Sequence, residues 1–171
     1  MSEQDIAASP SATPADDIVI RPAVAADRPF LISLDERLVE EAVVPEITRD
    51  QLIAFQSTYT REALDADKPG MATLIAVDGT GRPLGYIQLE PHHDMLTGET
   101  SGYVSILAVR AEAQGRGVAK RLLDAADDWA VRAGFRFLML DVFASNATAR
   151  RFYERRGFVD ESLRLRRKLP D

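Results

Sequence analysis

The stretch Val109-Arg110-Ala111-Glu112-Ala113-Gln114-Gly115-Arg116-Gly117-Val118-Ala119 joins an apolar run to the start of a helical pattern, and no other segment constrains the chain as strongly. A helix leaves the N–H groups of its first turn unpaired, and its macrodipole puts partial positive charge at that end. Gly115 and Gly117 let a ligand come close to this backbone, while Arg110, Arg116, Lys120 and Arg121 surround it with full charges. The segment therefore reads as an anion cradle for phosphate. The same residues also suit an ordinary glycine-bearing helix start with a solvated basic face.

Hydrophobic periodicity arranges the rest of the chain around this junction. Residues 18–21 form a short strand that Pro22 ends. Asp27 caps a helix with Pro29 in its first turn and Phe30, Leu31, Leu34, Leu38 and Val39 at helical spacing, and Pro45 closes it. Thr48 opens a second helix whose buried face is Leu52, Ile53, Phe55, Tyr59 and Ala63. Three strands follow, at 71–77, 84–90 and 102–109, the first two joined by the tight turn Asp78-Gly79-Thr80-Gly81-Arg82-Pro83. A polar loop holding His92, His93 and Asp94 precedes the third. Val118, Leu122, Ala126, Trp129 and Ala133 then describe a helix closed by Gly134, and 135–142 is a buried strand. Asn146 caps a short helix to Arg156, and 157–158 and 163–169 read as closing strands.

A chain of 171 residues fits one domain that buries roughly two-thirds of its unfolded surface. There is no cysteine, which excludes disulfides, thiolate metal sites and a cysteine nucleophile. Residues 1–17, acidic and rich in Ser, Ala and Pro, are expected to form a disordered tail ahead of a domain at 18–171. With no apolar run of membrane-spanning length and no export signal, the expected setting is the cytoplasm without a membrane partner. Residues 1–109 carry 7 Lys/Arg against 18 Asp/Glu, and 110–171 carry 14 against 9, a net −11 followed by +5. Such a division suits a protein that holds a polyanion at one end and a cationic group at the other. The overall acidity, with arginines not interleaved with aromatics, argues against nucleic acid.

The order strand, two helices, three strands, helix, strand, helix, two strands resembles the GNAT superfamily of N-acetyltransferases, over nearly everything after the tail. Two motifs carry the likeness beyond topology. Gln114-Gly115-Arg116-Gly117-Val118-Ala119 fits the family's cofactor signature, and Asn146, Ala149, Phe152, Tyr153, Gly157 and Phe158 fit its second recurrent stretch. The resemblance implies an α/β fold with a mixed, mostly antiparallel central sheet of about seven strands, helices on both faces and a splayed parallel strand pair. It implies acetyl-CoA as co-substrate, its pyrophosphate on the main chain of Gln114, Gly115, Arg116, Gly117, Val118 and Ala119. The pantetheine amides would pair with the main chain of Leu107, Ala108 and Val109, where 102–109 and 135–142 part, and Asn146 would bond the same arm. Arg150 or Arg151 would reach a phosphate or simply decorate a short helix.

Tyr153 is the expected general acid, because a phenol near pKa 10 stays protonated beside a leaving thiolate whose conjugate acid lies near about 8.5. Neither Ser105 nor Ser145 has a paired histidine and acid, so direct transfer in a ternary complex is expected over an acyl-enzyme. Many relatives place a glutamate in the strand before the cofactor loop, whereas residues 103–109 hold no acid. Glu90 is then the first candidate base, followed by His92 and His93. No metal is expected, since adjacent histidines on an extended chain point apart and no third ligand accompanies them. Glu36, Glu40, Glu41 and Glu46 would line an acidic acceptor side suited to a primary amine on a small molecule or peptide. A homodimer stays open. Two other readings remain: a non-catalytic acyl-CoA sensor of the same fold, and a nucleotide-dependent oxidoreductase built on Gly115-Arg116-Gly117 and Asp141. For the latter, Lys120 stands where the third glycine belongs.

Overall fold

Asp78 builds the first hairpin. Its carboxylate accepts the N–H groups of Thr80 and Arg82, each at 3.0 Å, and the Thr80 hydroxyl at 2.6 Å, while Gly81 takes φ +86° to complete the turn. The turn joins β2 (Ala72–Val77) to β3 (Pro83–His93) in a sheet completed by β1 (Val19–Pro22), β4 (Thr100–Val109) and β5 (Leu138–Leu140). In this computed structural model, which describes residues 17–66 and 68–170, the strands lie in the order β1-β2-β3-β4-β5. All neighbours are antiparallel except β4 and β5. Of the expected tail, only Asp17 falls among the described residues.

Helices cover both faces. On one, α4 (Val118–Arg132) buries Val118, Leu122, Leu123 and Ala126 against Ile87, Leu89 and Val104. On the other, α1 (Arg28–Ile32), α2 (Asp35–Leu38) and α3 (Arg49–Asp65) pack Leu31, Leu34, Tyr59 and Ala63 against Ile75, Tyr86, Ile106 and Ala108. Val104 and Ile106 are two apart, and on a regular strand they would share a face. They lie on opposite faces because β4 bulges: Gln88 pairs with Ile106 and Leu89 with Val104, which leaves Ser105 extra.

The fold class is as the sequence implied, with five strands among the described residues in place of seven. The expected closing strands are absent: 158–170 pairs with no strand, and Leu163, Leu165 and Leu169 are 72%, 89% and 63% exposed. Alternation alone does not make a strand when neither face of the segment gains a surface to bury. β5 is likewise shorter than 135–142, because Phe137 faces solvent under the Arg136 guanidinium. The first helix breaks in two where the Ser33 hydroxyl bonds to the Phe30 carbonyl at 2.6 Å and Leu34 leaves the helical region. α3 starts at the Thr48 cap as expected, but its buried residues are Leu52, Gln56 and Thr60. Gln56 donates to Thr60 at 3.1 Å inside the core, while Phe55 stacks on Tyr59 from outside. The inward polar pair satisfies itself, so periodicity that counts only apolar residues places Leu52, Tyr59 and Ala63 correctly but misses Gln56 and Thr60 and puts the exposed Phe55 on the buried face.

Candidate active site

β4 outruns β5. They pair only through Gly102–Leu138, Tyr103–Met139 and Val104–Leu140, and β4 then continues five residues to Val109, still paired with β3 on one edge but with no strand on the β5 side. The result is a notch edged by the β5-facing side of the β4 main chain at Leu107, Ala108 and Val109. The parallel pair behind it starts at Gly102, where a Cβ would come within 2.8 Å of the Trp129 ring and 3.1 Å of Leu138. Any larger residue there would push the helix or the strand aside.

Above the notch the chain makes a 3-10 turn at Ala111–Ala113 and enters α4 through Gly115 and Gly117, at φ +75° and +79°. Gly117 is the N-cap and brings no side chain, so the first-turn N–H groups of Val118, Ala119 and Lys120 stand uncapped. A Cβ at either glycine would meet nothing within 4 Å. The backbone from Gln114 to Ala119 is thus open and its first-turn N–H groups uncapped, the geometry that the expected anion cradle requires. The charged collar is more committed than the sequence implied. Arg110 lies over the Phe30 ring and 3.6 Å from Glu112, Lys120 holds Asp124 at 2.9 Å, and the Asp78 carboxyl, held below its usual range first by the Thr80 hydroxyl, also feels the Arg116 charge.

α5 (Ala147–Arg155) follows β5 and brings two expected residues to this side. Asn146 caps the helix by accepting the Ala149 N–H at 2.9 Å, which occupies its carbonyl oxygen and leaves its amide donors for another group. Tyr153 packs its ring edge-on against Phe158 at 5.6 Å and joins the apolar cluster that includes Leu107 and Leu140. Burial pushes its phenol up to about 12.

The opposite face of the notch collects Tyr59, Glu90, Tyr103 and Asp141. Glu90 and Tyr103 are direct cross-strand partners, and the Tyr103 hydroxyl donates to Asp141 at 2.9 Å. Burial raises the Tyr103 pKa, with the Asp141 charge adding to it; burial and then Glu90 raise that of Tyr59. Glu90 is not free, since Lys68 donates to it at 2.7 Å. His92 and His93 are exposed at the end of β3, His92 with its ring 5.3 Å from that of Tyr103. The sequence reading used Asp141 only for the rival ribose site. Its position just past the carboxyl end of a parallel strand, where open α/β sheets bind ligands, was the signal that points to it here. The expected acidic acceptor side is largely paired: Glu40 with Arg37, Glu36 with Arg49 at 3.9 Å, Glu46 with Lys168 at 3.3 Å.

Among the described residues no three His, Asp or Glu side chains gather as a metal would require, and no helix is long and apolar enough to cross a membrane. The model of the acetyltransferase (GNAT) family matches residues 36–158, more than two-thirds of the chain. An uncharacterized N-acetyltransferase of Bacillus subtilis, YycN, is 34% identical over 84 residues, 49% of this chain and 51% of its own. N-alpha-acetyltransferase 30 of Saccharomyces cerevisiae is 36% identical over 93 residues, 51% of each. The chain thus spans about half the length of these curated relatives. Among solved structures, an aminoglycoside N-acetyltransferase in complex with CoA superposes with a TM-score of 0.66 at 23% identity, over 94% of this chain and 99% of its own.

Proposed function

The chain belongs to the acetyltransferase (GNAT) family, and from that premise we propose that it transfers an acetyl group from acetyl-CoA to a primary amine of a small molecule or peptide in the cytoplasm. The observation that carries this reading is the notch. An extended ligand bearing amides can add itself to an unpaired strand edge, and pantetheine is such a ligand. The uncapped N-terminus of α4 lies at the end of the same strand and suits the pyrophosphate. The aminoglycoside enzyme solved with CoA shares the fold and supports the choice of co-substrate.

In the proposed reaction the neutral amine attacks the thioester carbonyl directly, the C–S bond breaks, and the thiolate leaves. Tyr153 faces the sulfur in this reading. A phenol near 12 is uphill of a thiol near about 8.5 by roughly 3 to 4 pKa units, so it stabilises the thiolate by hydrogen bonding more readily than by giving up its proton. Glu90 takes the amine proton through water, with Asp141 as the second carboxylate at the same mouth. The Lys68 ion pair on Glu90 favours one alternative, a non-catalytic acyl-CoA sensor, because it occupies the carboxylate meant to act as base.

Acetyl-CoA at about 100 times its dissociation constant should stabilise the chain by roughly 2.7 kcal/mol, raising the thermal midpoint by several degrees. NADH should give no shift. Release of free CoA in the presence of an amine panel then separates enzyme from sensor: a midpoint shift without turnover on any amine supports the sensor, and no shift at all sinks both.

A further inference from the structure

Ser145 belongs to the loop between β5 and α5, one residue before Asn146, yet its side chain reaches neither element. Its hydroxyl donates to the Glu41 carbonyl at 2.7 Å and accepts the Val43 N–H at 2.9 Å, bridging more than a hundred residues of sequence. The two bonds clamp residues 41–43, in the connection between α2 and α3, to the turn that carries Asn146. The same connection is held further along by the tail, where Arg166 donates to the Pro45 carbonyl at 3.3 Å and Lys168 pairs with Glu46 at 3.3 Å. Glu46 sits at φ +63°, a left-handed conformation that is strained for a non-glycine residue and persists only where the surroundings enforce it.

We propose that Ser145 is a positioning residue for the acceptor amine, the pin through which the turn carrying Asn146 fixes the 41–47 connection, and that this connection is the wall of the acceptor side the resemblance implies. This rests on the acetyltransferase reading and deepens it. A single hydroxyl that both donates and accepts within one segment fixes where that segment lies, and alanine removes both bonds while altering nothing else in the notch. The 41–47 connection then loses one of its two anchors, and the acceptor loses its preformed wall.

In steady-state assays Ser145→Ala should raise the KM for the amine about fivefold to tenfold, the size expected for two exposed neutral hydrogen bonds, with kcat and the KM for acetyl-CoA within about twofold of wild type. Ser145→Thr keeps the hydroxyl and should restore the amine KM. Limited trypsin digestion gives a readout independent of turnover: Arg37 and Arg49 flank the connection, and cleavage there should quicken in Ser145→Ala and return to the wild-type rate in Ser145→Thr. An unchanged amine KM and unchanged cleavage overturn the inference while leaving the acetyltransferase reading in place. Equal losses in kcat and both KM values overturn it too, as the mark of general damage. A wild-type protein that binds acetyl-CoA but acetylates no amine fails the reading beneath it, and the inference falls with it.

Discussion

Tyr153 holds a proton that is hard to remove and, for the same reason, hard to give away. Tyr153→Phe keeps the ring packing on Phe158 and removes only the hydroxyl, so kcat should fall about 10²-fold or more while acetyl-CoA affinity stays within about twofold. Unchanged turnover would remove the residue from the chemistry. Glu90 and Asp141 can be told apart by the size of the loss in kcat/KM at one fixed pH. Glu90→Gln should lower kcat/KM about 10²-fold if Glu90 takes the proton, whereas Asp141→Asn should cost far less and only loosen Tyr103. The reverse pattern would hand the role to Asp141. At this scale the sequence was legible where local signals fix a residue's conformation or place, as with Gly117 at a positive φ before α4 and Tyr153 on α5 beside Phe158. It was illegible where the role depends on a partner far along the chain, as with Lys68 on Glu90 or Tyr103 on Asp141.

Among the elements, α4 and its entry were readable because every local signal agreed: apolar spacing, two glycines at its start, Gly134 at its end. That agreement suggests a controlled comparison. Gly117 and Gly134 cap opposite ends of α4 at φ +79° and +76°, so valine at either forces the same left-handed strain, about 1 to 2 kcal/mol and several degrees of midpoint. Only Gly117→Val lies in the cradle. It should also weaken acetyl-CoA binding at least about tenfold by titration calorimetry, while Gly134→Val binds normally. Equal affinities would mean that phosphate sits elsewhere. The strands at 135–137 and 163–169 were misread for the opposite reason. Their apolar alternation was real, but pairing depends on an edge and a buried face, and no local pattern reports either.

The whole molecule should be stable over a broad plateau of pH with losses at both ends. Hydrogen bonds hold the carboxyls of Asp27, Asp78, Asp94 and Asp124 below their usual range, so the folded chain binds fewer protons than the unfolded one in acid. Their contribution is present above about pH 4 and disappears as pH falls through the lowered values. Burial raises Tyr59, Tyr86, Tyr103 and Tyr153, so the folded state keeps protons that the unfolded state gives up near pH 10. That contribution is full below about pH 10 and lost as pH rises through the raised values. Thermal midpoints measured from pH 2 to 12 should be flat between about 5 and 9 and fall on either side; a decline centred near neutrality would contradict this account.

Trp129 is the chain's single tryptophan, and its indole lies edge-on to Phe135 at 5.3 Å, hard against Gly102 where β4 and β5 first pair. Its emission therefore comes from one place, the end of the parallel pair away from the notch. The protein carries its own fluorescent gauge there, one that should report any loosening of that pair with no label attached.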